Sequence, residues 1–103
     1  MSLREDQNEF ARYFAILIIW INDCYGYSVS IGDVWAKDGH IKGSFHYLKL
    51  AGDLNLYKHG VYQRSTEAHK VFGEFWEDLH PKCTWGGRFR KKDGNHYSWG
   101  EKR

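Results

Sequence analysis

Apolar residues recur at three- and four-residue steps near the start of the chain, where Phe10, Phe14, Leu17, Ile18 and Ile21 share one helical face. The pattern predicts a helix over residues 5–22. Tyr13, Ile16, Ile19 and Trp20 widen its apolar face, so burial on most sides is expected. Asn22, Asp23 and Gly26 supply the stop. Over residues 27–35, Tyr27, Val29 and Ile31 alternate with small residues, which reads as a strand interrupted at Gly32. A loop follows over residues 37–43. Leu50, Gly52, Leu54 and Leu56 then alternate with Ala51, Asp53 and Asn55, a second strand signal. Lys58-His59-Gly60 reads as a hairpin turn into a short return strand at Val61-Tyr62. Ser65 is placed to cap a second helix that ends at Leu79, with Val71, Phe72, Phe75, Trp76 and Leu79 as its stripe and Pro81 beyond it. Gly86-Gly87 and Asp93-Gly94 mark turns between short extended pieces. The class expected is α+β: a small, mostly antiparallel sheet with two main helices packed on it.

Composition narrows this picture. A length of 103 residues suits a single domain spanning residues 1–103, too small for two cores. The hydrophobic fraction of 42% and aromatic fraction of 17% speak against disorder. A net charge of +2 does not by itself point to nucleic acid, and no recognition-helix pattern is present. Arg88, Arg90, Lys91, Lys92, Lys102 and Arg103 do concentrate positive charge near the C-terminus, either as a solvated tail or as a surface for an anionic polymer. Cys24 and Cys83 lack metal-site or redox spacing and are expected as buried free thiols. The start, MSLREDQNEF, is polar and acidic and lacks the form of a secretory signal; the apolar run over residues 15–21 is too short to span a bilayer. A monomer made in a reducing cytoplasm, without membrane insertion, is the expectation.

Candidate chemistry gathers in two places. His46 precedes Asp53 by seven residues, and Asp53 sits in the apolar strand pattern, where a bare carboxylate is costly unless paired or metal-bound. Further on, Asp93 stands three residues before His96. A hydrolytic zinc site needs three protein ligands, an open position for water, and a carboxylate off the metal to take the water's proton. His46, Asp53 and His96 can fill the first role and Asp93 the second. By spacing alone, a plainer reading stands beside this one: satisfied histidines and an aspartate capping a turn, in a chain with six histidines.

The surrounding residues add a resemblance. Ser44-x-His46-x(4)-Ala51-x-Asp53 resembles the SxHxxGxAxD signature of the D-alanyl-D-alanine carboxypeptidase and dipeptidase superfamily, which includes VanY-type carboxypeptidases and phage L-alanyl-D-glutamate endolysins. Asp53-Leu54-Asn55-Leu56-Tyr57 with Gly60 and Tyr62 looks like the DLNLF-type strand and hairpin of its short phage members. Trp85-Gly86-Gly87-Arg88-Phe89 followed by Asp93-x-x-His96-Tyr97 is similar to their WGGxF…DxxHF ending. The likeness runs from about residue 29 to residue 99. It implies a zinc site at the sheet with His46, Asp53 and His96 as ligands and Asp93 as general base. Ser44 would orient a ligand, and Trp85 with its two glycines would shape the wall beside the site. The implied activity is hydrolysis of peptidoglycan stem peptides, as endopeptidase or carboxypeptidase. The implied setting is a phage or prophage lysis enzyme that reaches the wall after release from the cytoplasm of a bacterial host.

Three positions depart from the signature. Lys49 stands where glycine is usual. Val34-Trp35-Ala36-Lys37 lacks the customary substrate-binding arginine, which Lys37 or Lys42 would have to replace. Ser98 follows His96-Tyr97 where many members have glutamate. These departures keep open an alternative, a non-catalytic wall-binding module that retains the peptidase fold. Glu77 and His80 repeat the acid-x-x-histidine spacing, but His80 suits the last turn of a helix, where it favours the dipole, and Glu77 faces solvent. His40, His59 and His69 read as surface residues, with His40 near enough to the motif to touch substrate. Tyr97 and Trp99 either pack beside the site or line a groove.

Overall fold

The computed structural model describes residues 2–35, 39 and 43–101. Helix α1 (Leu3–Asp23) begins at Ser2, whose hydroxyl accepts from the Glu5 N–H while the Glu5 carboxylate accepts from the Ser2 N–H, each at 3.1 Å. Its buried face is Phe10, Phe14, Leu17 and Ile21, as the spacing predicts. Burial on most sides does not occur. Ile16 and Ile19 are 38% and 62% exposed, because α1 packs on the sheet along one face only.

Five strands follow: β1 (Tyr27–Ile31), β2 (Ala51–Lys58), β3 (Val61–Gln63), β4 (Cys83–Trp85) and β5 (His96–Trp99). Every pairing is antiparallel; the order is β1-β2-β5-β4, with β3 pairing the far half of β2. The β2–β3 hairpin turns at His59 and Gly60, whose φ angles of 49° and 78° fit the two-residue turn that the sequence signalled. Helix α2 (Thr66–Leu79) is capped by the Ser65 hydroxyl, which accepts from the Ala68 N–H. The α+β expectation holds, with two helices on a five-stranded antiparallel sheet.

The face α2 buries is not quite the stripe read from sequence. His69, Phe72, Gly73 and Trp76 are buried at steps of three, four and seven, whereas Val71 is 51% exposed. Gly73 belongs to that face because the Trp85 ring lies where a Cβ would stand. His69, expected at the surface, is therefore in the core. Its Nδ1 is 2.8 Å from the Tyr97 hydroxyl, which satisfies both polar groups. Cys24 and Cys83 are free thiols, the former only partly buried; burial pushes Cys83 up to about 12.

The burial of His69 has a consequence for stability. Burial pushes its pKa down to about 4, offset only in part by a Gln63 backbone contact. Above pH 6.5 the ring is neutral in both native and unfolded chains. As pH falls from 6.5 towards 4, the unfolded chain takes up a proton that the native state refuses, so stability falls. His69→Gln is expected to remove up to about 3 kcal/mol of this pH dependence. Urea unfolding at pH 7 and pH 4.5 measures the difference, and parallel profiles for the two proteins would contradict it.

Candidate metal centre

Side chains of a strand alternate between faces, and in β2 that alternation sets the site. Gly52, Leu54 and Leu56 face the helices, with the Phe14 ring so close to Gly52 that a Cβ there would overlap it. Asp53 therefore points out of the opposite face, as its place in the alternation predicts. In β5 the same rule sends Tyr97 and Trp99 into the core and His96 and Ser98 to the other side. Both Tyr97 and Trp99 pack, and neither lines a groove. The β2–β5 register sets Asp53 directly opposite His96. The Asp53 main chain is held on both flanks: its N–H donates to the Asp33 carbonyl, its carbonyl accepts from the Gly32 N–H, and Leu54 N–H donates to the Asn95 carbonyl.

His46 comes from a 3-10 helical turn (Phe45–Leu48) just before β2. The buried Ser44 hydroxyl caps this turn and accepts from the His46 N–H at 3.3 Å. At the other end Lys49 has φ 58°, the left-handed conformation that glycine adopts freely. A lysine thus makes the left-handed turn at this position, and its ammonium lies 5.5 Å from the centre of the Trp35 ring.

His46 Nε2 is 3.2 Å and His96 Nδ1 3.6 Å from Asp53 Oδ1, and no pair of the three donor atoms exceeds 4.8 Å. A tetrahedral centre with bonds of about 2.0–2.1 Å sets its ligand atoms about 3.3–3.4 Å apart, close to these spacings. Asp53 Oδ1 is buried and, among the described residues, has no hydrogen bond of good geometry although two ring nitrogens lie against it. Two imidazoles and a carboxylate converging on one point form a donor set that fits a divalent metal. The His46, Asp53 and His96 cluster can hold a metal ion.

The electrostatics agree. Burial pushes the Asp53 carboxyl up, but His46 and His96 outweigh it and hold the pKa down at about 2. Burial pushes His96 down, yet Asp53 and Glu101 outweigh it and hold the ring up at about 9. A metal and a proton compete for this cluster, since a ligating imidazole must be neutral.

Asp93 stands off the three donors, with Oδ2 3.8 Å from His96 Nδ1 and a half-exposed side chain. Burial raises its pKa, and so does the charge of Asp53, against the pull of His96. It opens, with Ser44 and the three donors, onto one cavity of about 360 Å³ that Phe89, Lys91 and Lys92 also line. The turn carrying Asp93 is held from behind. Trp85 is buried against α2 and does not line the cavity; its indole N–H donates to the Gly94 carbonyl at 2.7 Å. Gly86 accepts the Asp93 N–H, and a Cβ on Gly86 would overlap the Asp93 carbonyl oxygen and crowd His96. Gly86→Ala is expected to cost about 1–3 kcal/mol and to weaken metal binding. Urea unfolding and zinc titration measure both; an unchanged midpoint would show that the 93–96 turn relaxes freely.

Sequence reasoning overlooked one residue. Glu101 is buried, and its Oε1 is 2.7 Å from His96 Nε2. The other acid-x-x-histidine pair is structural: Glu77 is bonded to Arg88 by two short contacts, and the His80 ring packs on Trp99 and accepts from the Lys82 N–H. Arg88, also 3.6 Å from Glu74, is half-exposed and paired with two acids of α2. His59 is exposed at its turn. His40, Lys37, Lys42, Lys102 and Arg103 lie outside the described residues. Among those described, no helix is long and apolar enough to cross a membrane. No protein-family model matches the chain, and no curated protein matches it.

Proposed function

We propose that this chain is a zinc-dependent peptidase acting on peptidoglycan stem peptides, of the kind short phage lysis enzymes carry. The observation that carries the reading is the convergence of His46, Asp53 and His96 beside a fourth residue outside that donor set, the carboxyl-bearing Asp93, at one cavity. The resemblance of the two sequence segments that supply these four residues gives the substrate class. Zinc bound there would polarise the scissile carbonyl and bring the pKa of its water towards about 7. Asp93 takes the proton of the attacking water and delivers it to the leaving amine. Its raised pKa suits this exchange, and its partial exposure leaves it room to reach both atoms. Lys91 and Lys92, exposed and lining the cavity, supply positive charge for a substrate carboxylate where the customary arginine is missing.

The test is mass spectrometry of the products released from purified peptidoglycan, with and without a zinc chelator. Chelator-sensitive fragments with new peptide termini are expected, and those termini name the bond cut. Intact peptidoglycan from several wall types, in the presence of zinc-loaded protein, would overturn the peptidase reading.

A further inference from the structure

We propose that Glu101 is a positioning residue that fixes how His96 presents itself to the metal, an inference that rests on the metal-centre reading above. Both side chains are almost fully buried, 5% and 6% exposed, and Glu101 Oε1 lies 2.7 Å from His96 Nε2. A carboxylate at that distance accepts the Nε2–H, which keeps a proton on Nε2 and makes Nδ1, 3.6 Å from Asp53 Oδ1, the nitrogen whose lone pair is free for a metal once its own proton is displaced. An imidazole without such a partner is free to adopt either tautomer and to tilt about its side-chain torsions.

The placement of Glu101 does not depend on His96. At the end of β5, Gly100 has φ 81°, a left-handed turn that reverses the chain. Its N–H donates to the Lys82 carbonyl, and the Thr84 hydroxyl donates to the Glu101 carbonyl, both at 2.7 Å. The Glu101 backbone is thus clamped to β4 and the residues before it, and its side chain reaches back over the strand to the ring. Ser98, two residues after His96 on the same face, does not take this part: its hydroxyl lies 3.5 Å from the Thr84 carbonyl.

Zinc affinity is measured by competition with a chromophoric chelator for the wild type and for Glu101→Gln, an isosteric change that removes the charge. Loss of such a partner typically weakens metal binding about 10–100-fold, and that loss is expected here with one zinc per chain retained. Far-UV circular dichroism of the metal-free proteins checks that the fold is intact. A second readout is independent of affinity. Long-range proton–nitrogen NMR of the zinc-loaded wild type is expected to show His96 protonated on Nε2 and ligating through Nδ1. Equal affinity in Glu101→Gln, or ligation through Nε2 in the wild type, overturns the role of Glu101 and leaves the metal centre standing. Failure of the wild type to bind zinc overturns both.

Discussion

Asp93→Asn is expected to lower kcat by about 10²–10⁴-fold while one zinc per chain remains bound. The argument is geometric. Asp93 is not one of the three converging donors; it sits 3.8 Å from a histidine nitrogen, with about half of its side chain open to the cavity. Asparagine fills the same space, keeps the backbone bond from the residue 93 N–H to Gly86, and cannot take a proton. A loss of about 3–5 kcal/mol in transition-state stabilisation corresponds to that range of rates. If the chain is the zinc peptidase proposed, a metal held by the other three residues would still polarise the carbonyl, so the variant should keep measurable residual turnover and an unchanged melting temperature. Steady-state assays on a stem peptide, with zinc content measured on the same samples, separate the outcomes. Full activity would remove Asp93 from the chemistry, and loss of zinc would make it a ligand.

The second large effect is on stability. Metal-free, the site holds Asp53 between two imidazoles with one buried oxygen poorly satisfied. A ligand that binds only the native state stabilises it by about 4 kcal/mol at a free concentration of 1,000 Kd. For a domain of this size, that corresponds to a rise in melting temperature of roughly 15–30 °C. Differential scanning calorimetry with zinc and with chelator should show the rise in the wild type. In His46→Ala the rise should vanish, since two donors with an open side rarely hold the ion. An equal rise in both proteins would place the zinc elsewhere.

Much of this architecture was legible in sequence, for identifiable reasons. Both helices carry their own signals: Ser65 caps α2, and α1 repeats Phe10, Phe14, Leu17 and Ile21 on one face. The β2 strand shows its alternation, and His59-Gly60 shows its turn. The alternation in β2 puts Gly52, Leu54 and Leu56 on one side and Asp53 on the other, and the structure keeps that division. Sequence-based expectation and structure differ on the two helices, at His69, Val71, Ile16 and Ile19. His69 has no partner at a recognisable sequence spacing and so reads as a surface residue, although its spacing to Phe72, Gly73 and Trp76 marks the buried stripe. The candidate ligands were legible because a motif named them. Glu101 was not, because its approach to His96 depends on a left-handed turn at Gly100 and a clamp to β4, which no spacing rule expresses.

The back-to-back use of β2 governs which changes the chain tolerates. Gly52 touches Phe14 while its neighbour Asp53 touches two imidazoles, so the helix-packing side and the metal side are separated by one residue of backbone. A larger residue at Gly52, or a reshaped one at Phe14, would be felt as a tilt of the Asp53 carboxylate. Variation at these positions therefore bears on the geometry of the candidate metal site as well as on folding. Ile16 and Ile19, on the outer side of the same helix, carry no such double duty. An engineer wanting a more soluble or more robust version has free ground there, and should leave the sheet-facing side of α1 alone.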